Sequence, residues 1–116
     1  MSTTEWWQRG PVDDVPAMLQ PVAHMLLQIH ETVHDIVAPL TEAQWNARPV
    51  GLAPAVFHVR HITGVLDRLF TYARGEVLSE AQFSALREED APIALAEVPP
   101  LLQRFDARID HHRWPS

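Results

Sequence analysis

The stretch from Leu52 to Glu76, LAPAVFHVRHITGVLDRLFTYARGE, constrains the fold of this chain more than any other. Ala55, Val59, Ile62, Leu66, Leu69 and Ala73 recur at alternating steps of four and three, which on an α-helix form one apolar face. Pro54 suits the first turn, where its missing N–H is not needed, and Gly75 suits the position just past the end, so a helix is predicted over 53–75. At about 100° per residue, His58, His61, Val65 and Tyr72 gather on one flank of that face.

An earlier seam has the same rhythm. Leu19, Val22, Leu26, Ile29, Val33, Ile36 and Leu40 are spaced three and four throughout, as in helices that pack in a bundle. Asp13 or Asp14 as cap, with Pro16 near the first turn, predicts a helix over 14–40 that either kinks or properly starts at Pro21. Trp45 is expected to plug the core before the turn Arg48-Pro49-Val50-Gly51. Ser79 with Gln82 is a capping box that opens a short helix over 79–90, whose acidic end Glu88-Glu89-Asp90 reads as solvated. A last helix over 98–112 places Leu101, Leu102, Phe105 and Ile109 on one face. Residues 1–12 form an arm in which Trp6 and Trp7 cover the domain, ending at the breaker pair Gly10-Pro11. The expected architecture is a single all-α domain, an up-down bundle of three main helices plus a short one.

Composition removes several alternatives. Hydrophobic residues make up 47% of 116, enough for a core, and no apolar run approaches the roughly 20 residues that span a bilayer. The N-terminal residues lack a signal-peptide layout, so a cytoplasmic protein is expected. The absence of cysteine excludes disulfides, thiolate zinc sites and cysteine nucleophiles. A net charge of −6, with nine scattered arginines and no lysine, argues against nucleic-acid binding.

His30-Glu31-Thr32-Val33-His34 matches H-E-x-x-H, which in zinc peptidases sets two imidazoles one turn apart with the glutamate as general base. The context is poor for that chemistry. Val33 belongs to the core seam, Asp35 follows directly, and no later segment supplies the sheet or extra ligand helix of such an enzyme. A peptidase built on His30, Glu31 and His34 is therefore the most distant reading. His24 points away from the seam, and Tyr72 and Arg68 read as core-edge packing and a surface ion pair.

Phe57-His58-Val59-Arg60-His61-Ile62, with Leu66-Asp67-Arg68-Leu69-Phe70-Thr71-Tyr72-Ala73-Arg74-Gly75-Glu76, resembles the second helix of DinB-like proteins, the damage-inducible four-helix bundles described as metal-dependent. Pro21-Val22-Ala23-His24 before it, and Leu78-Ser79 with Gln82 and Leu86 after it, resemble one branch of that family. The resemblance spans roughly residues 6–110. It implies an up-down bundle, frequent dimers, and a divalent metal (zinc, nickel or iron) held by one histidine of the second helix and an H-x-x-x-H pair of the fourth. His61 matches the second-helix ligand by its place in the motif, and His58 is the other candidate ligand on that helix. The implied chemistry is metal-assisted thiol transfer or hydrolysis on a small molecule that the sequence does not identify.

No counterpart of that fourth helix is found. His111 and His112 are adjacent, so on a helix their side chains diverge by about 100° and do not mimic an i, i+4 pair. Without that helix, the apolar stripes should leave several hundred Å² uncovered, more than a typical monomer exposes. A homodimer is expected to cover it, and a dimerising helical module that has lost its metal is the alternative to an enzyme.

Overall fold

In the computed structural model residues 4–110 are described, and they form five α-helices, α1 (Gln20–Val37), α2 (Glu42–Asn46), α3 (Ala55–Ala73), α4 (Glu80–Arg87) and α5 (Val98–Ile109), with short 3-10 turns between them and no strand among the described residues. His111 and His112, the end of the final helix expected from the sequence, lie outside the described residues, and Asp110 before them has already left the helix at φ −56°, ψ 111°. No described helix is long and apolar enough to cross a membrane.

Of the two starts open to α1, the structure takes the one at Pro21 and not the one at Asp14. Asp14 takes a left-handed φ of 63° and makes no cap, Pro16 is extended, and Ala17–Leu19 form a 3-10 turn before the helix begins with Pro21 in its first turn. Two prolines five residues apart cannot both sit inside one regular helix, so the chain uses the second. The short helices follow their capping boxes. Thr41 accepts from Gln44 N–H while the Gln44 side chain accepts from Thr41 N–H, and Ser79 and Gln82 repeat the device. At the end of α3, Gly75 adopts φ 76°, which lets Glu76 N–H return to the Thr71 carbonyl at 3.1 Å.

The core forms where α5 lies against both α3 and α1. Leu26 and Val37 of α1, Val56, Val59 and Leu66 of α3, and Leu101, Phe105 and Ile109 of α5 are buried together, and Trp45 of α2 fills the end of the cluster at 1% exposure. Asn46 ties α2 to the strap before α5, donating to the Ile93 carbonyl at 2.8 Å and accepting from its N–H at 2.7 Å. The seams are only partly covered. Val22 and Ile36, core positions by spacing, are exposed, as are Leu69 and Ala73 at the far end of α3. The described chain is a slab of 41 × 40 × 25 Å, and three long helices cannot enclose every flank of one another. Met18 of the preceding turn, with Val22, Met25 and Ile36 of α1, therefore leaves apolar surface exposed on the outer side of this helix.

The N-terminal arm packs along another side of α1. Trp6 donates its backbone N–H to Gln28 and its indole N–H to Glu31 Oε2 at 3.1 Å, and Arg9 pairs with the same carboxylate at 3.0 Å while its guanidinium lies 4.6 Å from the Trp6 ring. The Arg9 hydrogen bonds hold the Glu31 carboxyl below its ordinary value of 4.5. A depressed carboxylate stabilises the docked arm above its unfolded pKa, and that contribution is lost as pH falls through the folded value. Acidification below pH 4.5 should therefore loosen the arm, read as a change in Trp6 fluorescence that Glu31→Gln shows already at neutral pH.

Val50 sits at φ 47°, ψ 34° with 95% of its surface exposed. A β-branched residue there bears a left-handed backbone cost with no burial to offset it. Val50→Gly should raise stability by about 1 kcal/mol in a urea melt.

Candidate metal centre

The helical pitch of α1 stacks His30 and His34 one turn apart beside the buried stripe of Leu26 and Val37, on the side that meets α5. On α5, Asp106 follows Phe105, which is fully buried, and so stands at the edge of the same contact. The result joins two distant segments. His30 Nε2 donates to Asp106 Oδ1 at 2.9 Å and His34 Nε2 donates to the same oxygen at 2.6 Å. The two imidazoles are 4.6 Å apart between centroids, and His30 lies parallel to the Phe105 ring at 5.9 Å and 6°. All three side chains are about one-third to one-half exposed, so the cluster opens to solvent on one side and rests on the core on the other.

This donor set fits a divalent metal. The two imidazole nitrogens and one carboxylate oxygen lie within 4.8 Å of one another, and among the described residues no other such group of three forms. Ligands about 2.0–2.1 Å from zinc sit a little over 3 Å from each other, so the imidazole–carboxylate separations of 2.9 and 2.6 Å need to widen by less than about 1 Å to admit an ion. Two imidazoles and a carboxylate suit zinc, nickel or iron, and three protein ligands leave a position open for water or substrate. The ion would replace two N–H···O bonds that are half-exposed and therefore cost little to give up.

Glu31, the would-be general base of the H-E-x-x-H reading, is engaged elsewhere. Its carboxylate is held by Arg9 and Trp6, and the lowered pKa makes it a poorer proton acceptor. The peptidase reading of this motif loses its base, while the histidine pair keeps its spacing and gains Asp106.

His61 and His58 stand apart from this cluster. His61, half-exposed, donates from Nδ1 to Glu89 Oε1 at 2.8 Å and stacks on Phe57 at 5.2 Å and 11°. In a neutral ring that bond leaves the Nε2 lone pair available. His58 is exposed and meets Phe57 edge-on. No group of three ligands forms around either among the described residues.

Glu89 corrects the reading of the acidic run as solvated: Glu88 and Asp90 are exposed, but Glu89 is 5% exposed and bridges His61 to Arg68 Nη1 at 3.2 Å. Gly64 makes room for this, since a Cβ there would lie 2.7 Å from Glu89 Oε2 and 2.8 Å from Arg68 Nη1. Arg68 is thus an inward ion pair, not a surface one. Glu89→Gln should cost about 2 kcal/mol in chemical denaturation, because it leaves a largely buried guanidinium without its anion.

The sequence pattern of the DinB superfamily matches residues 25–113, more than half of the chain. The chain belongs to the DinB superfamily. The match takes in the histidine pair of α1, all of α3 and Asp106 of α5. No curated protein and no solved structure gives a significant match. Within this DinB chain the i, i+4 histidine pair stands on α1, and its third partner is an aspartate.

Asp106 is the site residue that the sequence reading missed. A signal for it exists: it lies four residues after Leu102 and three before Ile109, so a carboxylate occupies the edge of an apolar helix face.

Proposed function

We propose that this DinB protein binds one divalent metal ion through His30 Nε2, His34 Nε2 and Asp106 Oδ1, and uses it as an open-site Lewis acid. The observation that carries the reading is the convergence of two imidazoles from α1 and a carboxylate from α5 on one point at the solvent edge of the core. An ion with an open position lowers the pKa of a bound water or thiol, which suits hydrolysis or thiol transfer. The chain's own residues do the positioning. Phe105 fixes the plane of His30, and the buried stripe of α1 holds both histidines toward α5. Isothermal titration with zinc and nickel tests this. One ion per chain is expected for the wild type and none for the His30→Ala/His34→Ala double variant. Equal binding by both proteins would refute the site.

The sequence resemblance favours His61 as a ligand, and one observation supports that second reading: Glu89 orients its ring as carboxylates orient metal-binding histidines. Loss of binding in His61→Ala, with binding intact in the double variant, would select it. The exposed apolar surface of Met18, Val22, Met25 and Ile36 supports a homodimer, and with it the alternative of a dimerising module without chemistry. A monomer mass in sedimentation at micromolar concentration would exclude both.

A further inference from the structure

A cleft of about 380 Å³ opens between α3, α4 and α5, away from the metal cluster, at the small end of the range for ligand sites. We propose that it binds a small elongated zwitterion, with a carboxylate at the end of Arg104 and Arg108 and a primary ammonium at the end of Glu88 and Glu97.

The ordering comes from α5. Glu97, the N-cap residue of α5, and Leu101, Arg104 and Arg108 within it all line the cleft, and their spacing of four, three and four puts them along one helix face. The wall therefore runs from acid through apolar to base, with about 10 Å of helix between Glu97 and Arg104. Other polar groups there are already engaged. Arg60 donates to the Glu88 and Ala91 carbonyls, Glu97 Oε1 accepts from Ala94 N–H at 3.0 Å, Glu89 holds His61 and Arg68, and Asp67 accepts from Gln82 and meets Arg108.

Arg104 is exposed and has no hydrogen-bond or ion-pair partner among the described residues. Arg108 is poorly satisfied: its Nε is buried with no acceptor, and its contact with Asp67 is long, at 3.5 Å. A carboxylate in the cleft meets the Arg104 guanidinium and the exposed end of Arg108. A simple anion meets the acidic end and a simple cation meets the arginines, so the mixed wall selects a ligand that carries both charges with a short apolar span between them.

The test is an NMR titration of the full chain with 6-aminohexanoate, hexanoate and hexylamine, following the amides of Gly64 and Leu101. We expect saturable shifts with 6-aminohexanoate, and binding weaker by about tenfold or more for each analogue that lacks one charge. Arg104→Gln, an exposed change that leaves the fold intact, should weaken 6-aminohexanoate by about tenfold without weakening hexylamine. Absence of shifts with 6-aminohexanoate, equal binding of hexanoate, or an unaltered affinity in Arg104→Gln would each overturn the proposal. None of these residues belongs to the metal cluster, so the two proposals fail separately.

Discussion

Truncation of Phe105 to alanine should destabilise the protein by about 3–5 kcal/mol, a large share of the 5–15 kcal/mol typical of a domain. Phe105 is fully buried where α5 meets α1 and α3, inside the cluster that the three helices share. Both the lost transfer energy and the cavity term therefore apply in full. The same substitution removes the surface on which His30 stacks, so metal affinity should fall along with stability. Phe105→Leu, which keeps most of the volume, should cost about 1.5 kcal/mol or less. Urea denaturation of the three proteins checks this. A cost below about 1 kcal/mol for the alanine variant would mean that α5 does not carry the core.

The second large effect is expected at Asp106. Outer-shell partners of metal ligands are worth about 10–100-fold in affinity, and a direct ligand is worth more, so Asp106→Ala should weaken zinc binding by at least about 100-fold. Stability without metal should change little, because the two bonds it makes to His30 and His34 are half-exposed and such pairs contribute about 0–1 kcal/mol. The contrast separates a site residue from a structural one. A loss of several kcal/mol without metal would make Asp106 a clamp between α1 and α5.

The local parts of this structure are legible in the sequence, and the parts made by distant contacts are not. The Ser79–Gln82 box and the Gly75 end of α3 are decided by residues within one turn, and they appear where spacing and capping place them. The histidine pair is visible as H-x-x-x-H, but the partner that gives it meaning is 72 residues away from His34, on a helix whose side is set by packing. Glu89 shows the same limit. Three consecutive acids read as solvated, and only the approach of α3, permitted by Gly64, turns the middle one inward to His61 and Arg68. The seam of α1 overstates its burial for a related reason: spacing reports that Val22 and Ile36 are apolar, not whether a helix lies against them.

The most direct test of the metal centre is a histidine side-chain NMR titration with zinc, which reports each imidazole separately. At one equivalent, the Nε2 resonances of His30 and His34 should shift together and lose their proton couplings, while His61 keeps its Nδ1–H bond to Glu89. A first response at His61 or His58, or no response at any imidazole, would contradict the account.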